Sequence, residues 1–485
     1  MAKIRVITDA IPTSQTTSGV VLQAVLEKLA PTHDFEFYIL ENKKREIVMT
    51  SEAFKSSKFH FLEAPISYWG LGFLTKPYSG FIRKFFNQDI ESLIKWIKQE
   101  NSRDLPDHQI FVLQSATSIL LCEYFKKTTT TYSTITWDPW SWWSRNHQVP
   151  NDLNNYIQGA LDEIYSNGFH LVPNQMWAHT FNKHSSQFYP VYVPFNQVFS
   201  QDIVEKDQID TLDFCFSGTP YAFFELEIFV KFMESRNWLL FEKKVYLHFF
   251  GPFCPFEFKN VIYHGNIHPD ELIDSLSKFD IAILPYPSGE ANKDVSQLSF
   301  PSKYLSYLAA GLPTIFIGDT SATVCNFVNQ AGFSIDPRNF EECFESNFFR
   351  FWQSIDDSKK NTKILLSKNF SSLEFSKSVE CWLISAGLCF DNSHSVFHYQ
   401  EQPHSDFELY SKSTSSSSVI FTSKIHKLLK IFIPFRFLFM RSDGKFNLKA
   451  KLISVTYRLI RHRFLEKAVN AVTKLMIRIY QIRKI

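Results

Sequence analysis

The chain has 485 residues, of which 45% are hydrophobic and 21% are charged, with a net charge of +2, and this balance excludes a generally disordered protein. Its length exceeds what one hydrophobic core usually serves, so we expect two domains and an extension. The seven cysteines include no Cys-x-x-Cys pair, which argues against a disulfide framework or a zinc cluster and favours a reducing, cytoplasmic compartment.

The first half of the chain predicts a parallel sheet. Lys3, Arg5 and Asp9 lie within the first apolar run, which favours a strand over a signal peptide. Apolar runs then alternate with helical patterns such as SGVVLQAVLEKLA and DIESLIKWIKQE, as expected for βαβ units. The predicted strands are IRVIT (4–8), FEFYIL (35–40), IFVLQ (110–114), YSTITW (132–137), FHLVP (169–173) and YPVYVPF (189–195).

The second half repeats this alternation. Its predicted strands are LDFCFSG, VYLHFFG, VIYHG, DIAILPY, PTIFIG and GFSID. The predicted fold class is therefore α/β, with two Rossmann-like domains that face a cleft and a basic helical C-terminal extension. We place the first domain at 1–197, the second at 205–385, a serine-rich linker at 386–423 and the basic tail at 424–485.

A short helix in the segment SFPSKYLSYLAAGLPTIFIG is a candidate anion site. It begins near Pro301 and Ser302 and ends at Gly311, because Pro313 prevents its continuation. Lys303 lies in its first turn, where the interaction of its positive charge with the helix dipole is unfavourable by roughly 0.3 to 1 kcal/mol. A bound anion would make the electrostatic balance at this place favourable. The ordinary alternative is an exposed lysine with no ligand.

The motifs of both halves resemble one enzyme family. The segments FSGTPY, VYLHFFGP, VIYHGNIHPDELIDSLSKFDIAILPY and PSKYLSYLAAGLPTI resemble the C-terminal domain of GT-B glycosyltransferases, specifically the large retaining family that includes glycogen-synthase-like enzymes (glycosyltransferase family 4, group 1). The opening segment KIRVITDAIPTSQTTSGVVLQAVLEKLA is similar to the family's first strand, glycine loop and helix. Together these segments cover about residues 1–385.

The resemblance implies a nucleotide sugar as donor, held mainly by the second domain, and an acceptor that enters from the first. The implied diphosphate contacts are Ser18 and Gly19 in the first domain and Gly218, Thr219, Ser302 and Lys303 in the second, with Gly251 and Gly265 near the nucleoside and Ser306 beside the ribose. Each glycine is also explained as a turn residue that needs a positive φ, and this alternative stays open above all for Gly251 and Gly265.

Two features depart from the family's pattern. The family usually has two glutamates seven residues apart, and the matching positions here are Ser299 and Ser306. The Arg and Lys that usually follow the strand ending at Gly218 are replaced by TPYAFFELEIF, which leaves Lys303 to neutralise the diphosphate. These departures support a second hypothesis, a GT-B-shaped binding subunit or scaffold without activity. A nucleotide-sugar epimerase of the same architecture is a third.

Asp138 in TWDPW is the candidate catalytic residue, because it follows a predicted strand where it could accept the proton of an acceptor hydroxyl. Relatives often have a His-Asp pair here, and Trp137 takes the place of the histidine. Asp138 could equally cap the turn that Pro139 begins. His147 is a weaker candidate. No DxD-like carboxylate pair stands out, so we expect no bound metal and no cofactor besides the donor substrate.

The basic tail predicts an anionic partner. Residues 424–485 hold 16 Lys or Arg against two acidic residues, a balance of +14, so the first 423 residues carry about −12. The segment KIHKLLKIFIPFRFLFMR is too interrupted by charge to cross a bilayer. Apolar residues recur at helical spacing over 465–482, which predicts an amphipathic helix lying on an anionic membrane.

The tail therefore favours a cytoplasmic enzyme, peripheral to the membrane, that uses a lipid-linked or glycan acceptor. Nucleic acid is the competing partner of a basic helix, but the density of Phe, Leu and Ile favours lipid, and we expect no nucleic-acid binding. Packing of the tail on the rest of the chain is the remaining alternative.

Overall fold

A computed structural model of the chain describes residues 2–12, 17–40, 52–62, 79–127, 131–146, 149, 151–181, 187–192 and 210–388. One compact unit contains the described residues within 1–252 and 262–394. The short segment 253–261 belongs to a second unit and, up to Asn260, forms no helix or strand. The predicted basic tail and all but the first three residues of the predicted linker lie outside the described residues.

The first half forms a sheet of seven parallel strands in the order β3-β2-β1-β4-β5-β6-β7. Its strands are β1 (Ala2–Thr8), β2 (His33–Leu40), β3 (Lys58–Leu62), β4 (His108–Val112), β5 (Thr131–Ile135), β6 (Phe169–Val172) and β7 (Gln187–Pro190). The accompanying helices are α1 (Thr17–Glu27), α2 (Ser79–Arg103), α3 (Ala116–Phe125), α4 (Trp140–Asn146), α5 (Asn151–Tyr165) and α6 (Met176–Phe181). Strand β4 is buried at every position, as expected for a strand covered on both faces.

The second half forms a sheet in the order β11-β10-β8-β12-β13-β14, and β9 pairs with β10 in antiparallel fashion. Its strands are β8 (Thr211–Ser217), β9 (Leu239–Leu240), β10 (Lys243–Phe250), β11 (Val261–Gly265), β12 (Ile281–Pro285), β13 (Thr314–Ile317) and β14 (Gly332–Ile335). The accompanying helices are α7 (Phe223–Ser235), α8 (Pro269–Leu276), α9 (Lys293–Leu298), α10 (Ser302–Ala309), α11 (Cys325–Ala331), α12 (Phe340–Gln353), α13 (Ile355–Asn369) and α14 (Ser372–Ser385).

Both sheets have the strand order of a Rossmann fold, and this order determines where a ligand can bind. The order reverses between β1 and β4 in the first sheet and between β8 and β12 in the second. Ligands of open α/β sheets bind outside the carboxyl ends of the strands at such a reversal. The connections that leave β1, β4, β8 and β12 are therefore the places to look for a site.

The predicted α/β fold class is confirmed, and every strand predicted from the sequence overlaps an observed one. Strands β3 and β9 were not predicted. Strand β3 reads KFHFL, in which polar residues interrupt the apolar run, and its side chains are only partly buried. Strand β9 has two residues, too few for any periodicity.

Helix α14 follows the second sheet in the chain but packs in the core of the first. Phe375, Val379 and Trp382 are buried together with Ile4 of β1. The indole N–H of Trp382 also donates to the Phe169 carbonyl at 3.3 Å. The chain thus returns to the first domain at its last described helix.

A buried ion pair holds β1 and β2 together. The side chain of Arg5 is fully buried, and its Nε and Nη2 donate to Glu36 Oε2 at 3.0 and 2.7 Å. The Arg5 guanidinium lies over the ring of Tyr38, 4.5 Å from its centroid. Burial raises the pKa of Glu36, but the hydrogen bond and charge of Arg5 and the charges of Lys3 and His60 outweigh it, so the pKa is lowered overall.

We expect Glu36→Gln to lower the free energy of unfolding by about 3 kcal/mol at pH 7, because it leaves the buried charge of Arg5 without a counterion. The lowered pKa means that the carboxylate stabilises the fold above its ordinary value of 4.5 and loses this effect as the pH falls through the lowered value. Urea unfolding at pH 7 and pH 3 should therefore show a difference between the two proteins that shrinks in acid. Asp357→Asn, at an exposed pair with Lys360, is the control and should change little at either pH. A difference of equal size at both pH values would contradict this account.

Candidate functional site

The carboxyl ends of β8 and β10 approach each other closely at two glycines. Gly218 follows β8 with a φ of 91°, and its N–H donates to the Phe250 carbonyl at 2.8 Å. A Cβ at Gly251 would lie 2.6 Å from the Gly218 carbonyl oxygen, and a Cβ at Gly218 would lie 2.8 Å from Lys303 Cε. Gly218 therefore needs both its positive φ and its missing side chain, whereas Gly251 needs only the close approach. Gly265 has a φ of 78° and open space around it, as a turn residue would.

Lys303 lies against this backbone. Its Nζ donates to the Thr219 carbonyl at 2.6 Å and lies 4.4 Å from the ring centroid of Phe216 and 4.7 Å from that of Tyr221. Burial lowers the pKa of Lys303 to about 7, although part of the side chain remains exposed. Among the described residues, no carboxylate forms a salt bridge with it. Lys303, which is predicted to bind the diphosphate, is thus a cation whose Nζ contacts a carbonyl and two ring faces among the described residues.

Helix α10 is fixed so that its first turn faces the ends of β8 and β12. The Tyr307 hydroxyl accepts a hydrogen bond from the Ser217 N–H at 3.1 Å and donates to the Ile283 carbonyl at 3.3 Å. Ser302 is exposed at the first position of the helix, and Ser306 is buried one turn later. Gly311 has a φ of 72° just beyond the helix, as its predicted role at the C-terminal end requires.

Asp138, the candidate catalytic residue, reaches the second domain. It follows β5, and its Oδ1 accepts a hydrogen bond from Ser299 Oγ at 2.6 Å. Burial raises the pKa of Asp138, and the bond from Ser299 offsets only part of that rise. Ser299 is buried and precedes Lys303 by four residues. The structure therefore brings the carboxyl group of the first domain to the segment that leads into α10.

Further hydrogen bonds hold the two domains together at this segment. Trp177 Nε1 donates to the Leu298 carbonyl at 2.6 Å, and Asn174 Nδ2 donates to the Ser299 carbonyl at 3.2 Å. Leu298 is buried in a core cluster of the first domain. Helix α4 also contacts α9, through Ser141, Arg145 and Asp294. Helix α9 thus couples the position of Lys303 to the first domain.

Two residues that the sequence analysis did not single out belong to the same site. Glu225, in the first turn of α7, accepts hydrogen bonds from the Ser288 N–H at 2.8 Å and Ser288 Oγ at 2.6 Å, and burial raises its pKa. Tyr221 faces the Lys303 Nζ, and burial and the charges of Asp138 and Glu225 all raise its pKa. An acidic residue in the first turn of a helix after a predicted strand was the available signal for Glu225. Nothing in the sequence pattern distinguishes Tyr221.

The first sheet has its own polar group at its reversal. Asp9 Oδ1 accepts a hydrogen bond from Ser115 Oγ at 2.9 Å, and these residues follow β1 and β4. Gly19 is buried in the first turn of α1, in the connection that leaves β1. The side chain of Ser18 and the whole of His147 lie outside the described residues.

Neither a metal site nor a membrane span is found in the part of the chain that the structure describes. His, Cys, Asp and Glu side chains form no group of three or more suited to a metal ion in these ranges. None of the described helices has the length and apolar character needed to cross a bilayer.

Several solved structures share this arrangement of two domains. Sucrose-phosphate synthase (tll1590) from Thermosynechococcus elongatus is 10% identical, with a TM-score of 0.51 over 80% of this chain and 96% of that chain. Trehalose-6-phosphate synthase from E. coli, bound with UDP-2-fluoro glucose, is 9% identical, with a TM-score of 0.53 over 80% and 100%. WaaG, a glycosyltransferase involved in lipopolysaccharide biosynthesis, is 11% identical, with a TM-score of 0.51 over 79% and 100%.

These likenesses show that the chain has the fold of the GT-B glycosyltransferases, as the sequence predicts. No known protein family and no curated protein matches it in sequence. The likeness is therefore one of fold, and the activity has to be argued from the site.

We expect Gly251→Ala to destabilise the protein and weaken nucleotide binding, because its Cβ would collide with the backbone at Gly218 and push that loop away from Lys303. Gly159→Ala is the matched control. Gly159 lies within α5 with nothing within 4 Å of its missing Cβ, so this change should stabilise the protein by roughly 0.5 to 1 kcal/mol. Urea unfolding and nucleotide titration of both variants check this. Equal stability of the two variants would rule out the close approach.

Proposed function

We propose that this chain is a glycosyltransferase that moves a sugar from a nucleotide-diphosphate donor to a hydroxyl group of a glycan or glycolipid. The observation that carries the proposal is the site at the ends of β8, β12 and β5. There a lysine that forms no salt bridge with a described carboxylate lies against closely packed glycine backbone, and a carboxyl group of raised pKa binds Ser299, four residues before that lysine. The fold supports the same reading, since the E. coli structure of this fold is bound with UDP-2-fluoro glucose.

In this proposal the diphosphate binds at the start of α10. Lys303 and the N–H group at Thr219 stabilise the charge that develops on the departing nucleoside diphosphate, while Gly218, whose own N–H donates to the Phe250 carbonyl, would let the diphosphate approach the backbone. A helix N-terminus adds its partial positive charge, so the residues can serve this leaving group without a metal ion. Ser302 would contact the diphosphate and Ser306 the ribose, Gly251 would lie near the nucleoside, and Ser18 and Gly19 would approach the diphosphate from the first domain.

Asp138 is the group that we propose meets the acceptor. A carboxylate whose pKa is raised by burial is a stronger base than an exposed one, and proton transfer to such a group contributes rate. The hydrogen bond from Ser299 fixes its orientation. The positions where the resemblance implies glutamates are Ser299 and Ser306, so the second domain offers no carboxylate there, and we assign the proton acceptor to the first domain.

The acceptor class and location rest on the composition of residues 424–485. A balance of +14 with many apolar residues suits an anionic lipid surface, and each nearby cation contributes about 1 kcal/mol. We therefore propose a cytoplasmic enzyme, peripheral to the membrane, that acts on a lipid-linked or growing glycan. Nucleic acid is not among the partners we propose.

Nucleoside diphosphates and nucleotide sugars should separate binding from transfer. We expect Lys303→Ala to weaken diphosphate binding about 10- to 100-fold, because a charge-assisted hydrogen bond is lost. Asp138→Asn should retain binding and lower transfer about 100-fold or more. Titration calorimetry and donor hydrolysis across a panel of nucleotide sugars measure these effects, with Lys360→Ala on α13 as an exposed control. If the intact chain binds no nucleoside diphosphate, the scaffold hypothesis replaces the transferase.

Flotation with vesicles tests the membrane surface. The intact chain should float with vesicles that contain anionic lipid and remain behind with neutral ones. Replacement of Lys467, Lys474, Arg478 and Arg483 by glutamine in the full chain should reduce flotation, because electrostatic attraction falls with each cation removed. Equal flotation of the two proteins on anionic vesicles would contradict a role of these cations.

A further inference from the structure

The environment of Lys303 differs from that of the described lysines that form salt bridges. Lys3, Lys126 and Lys231 each lie within salt-bridge distance of a carboxylate. The Lys303 Nζ instead donates to the Thr219 carbonyl and faces the rings of Phe216 and Tyr221. Ring faces attract a cation, but they stabilise it less than a carboxylate does. Without a bound ligand, the described groups that contact Lys303 therefore stabilise its charged ammonium form only weakly.

Among the described residues, no carboxylate forms a salt bridge with Lys303, and no neighbouring charge contributes to the shift of its pKa. The end of β8 contributes Phe216, and the connection after it contributes Tyr221. The charges of Glu225 on α7 and of Asp138 after β5 act on Tyr221 instead, and each of these carboxyl groups accepts a hydrogen bond from a serine and has a pKa raised by burial. Phenol groups of α10 and β12, at Tyr304, Tyr307 and Tyr286, also have raised pKa values and remain neutral.

Burial is the one cause that shifts the pKa of Lys303, and it brings that pKa to about 7. Water has been replaced by ring faces on two sides of the ammonium, and desolvation disfavours the charged form of an amine. Near neutral pH the free amine and the ammonium are then present in comparable amounts. A ligand with charges of −2 or −3 beside Nζ would favour the ammonium strongly.

We propose that the Lys303 amine takes up a proton from solvent when a nucleoside diphosphate binds, and that the ring of Tyr221 holds the free site in its uncharged form. This inference rests on the proposed function, since it needs a diphosphate at this place. No other bond forms or breaks: the proton moves from water or buffer to Nζ, which then donates to phosphate oxygen. Because the bound state carries more protons, affinity falls as the pH rises through neutrality.

Tyr221 contributes to the burial of the Lys303 amine and can be replaced without removing that amine. Its side chain is 43% exposed and covers Nζ on one side, so Tyr221→Ala admits water to the ammonium and returns its pKa towards the ordinary value of 10.5. The free site is then charged already, and binding takes up less proton. Tyr221→Phe keeps the ring and should take up as much proton as the wild type, which separates the ring from the hydroxyl.

The experiment is titration calorimetry of the full chain at pH 8 with UDP, ADP and GDP, in two buffers of different ionisation enthalpy. At pH 8 a phosphate with a second pKa near 6 is fully ionised, so its own protonation adds little. A pKa of about 7 in the free site predicts an uptake of about 0.9 proton on binding. Lys303→Arg, which stays charged, should take up almost none. Wild-type affinity should fall about fivefold between pH 7 and pH 8 and about ninefold between pH 8 and pH 9.

The outcomes are distinguishable. Binding with equal proton uptake by the wild type and Lys303→Arg would overturn the inference while the proposed function stands. Absence of binding by the wild type for all three nucleotides would overturn the proposed function and this inference with it. If Lys303→Arg does not fold, as circular dichroism would show, the comparison of wild type with Tyr221→Ala decides instead. If Tyr221→Ala takes up as much proton on binding as the wild type, the Tyr221 ring does not hold Lys303 in its uncharged form.

Discussion

The site depends on the contact between the loop after β8 and the first turn of α10. The Gly218 carbonyl lies so close to Gly251 that position 251 has no room for a side chain, and Gly218 itself has a positive φ beside the end of the Lys303 side chain. Two parallel strands end here beside a helix N-terminus, which exposes N–H groups and a partial positive charge. In the proposed function, the closeness of the backbone is what lets a single lysine act where the resemblance implies several cations. Any shift of this loop would separate the amide groups from the amine.

The charges of the site are set by burial more than by ion pairs. Asp138 and Glu225 both have raised pKa values, and Lys303 has a lowered one, so all three groups are biased towards their neutral forms. The contrast with Arg5 and Glu36 is informative, because there a direct ion pair lowers the carboxyl pKa and stabilises the fold. An ion pair of that kind at Lys303 would already neutralise the ammonium charge that, in the proposed function, binds the diphosphate. Groups left uncompensated in this way are typical of functional sites.

The sequence predicted those features that local patterns determine. Strand periodicity, the end of α10 at Gly311 and the place of Lys303 follow from residues close together in the chain. It could not predict that α14 packs on the first sheet, because an amphipathic helix does not specify which sheet it covers. The pairing of Asp138 with Ser299 joins residues 161 positions apart, and no local pattern records it. Glu225 lies in the segment where the family's pattern has basic residues, so the resemblance assigns no role to an acidic side chain there.

Ser299, one of the two serines that depart from the family's pattern, can be understood together with Asp138. Ser299 Oγ lies 2.6 Å from the Asp138 carboxyl group, in surroundings that already raise its pKa. A glutamate at position 299 would bring a second carboxyl group to that place, and two buried carboxyl groups at such a distance cannot both ionise without a large rise in one pKa. Serine avoids this conflict and donates a hydrogen bond instead. The first domain thus supplies the carboxyl group at this place. Its position relative to Lys303 depends on the hydrogen bonds that Trp177 and Asn174 donate to the Leu298 and Ser299 carbonyls at the end of α9.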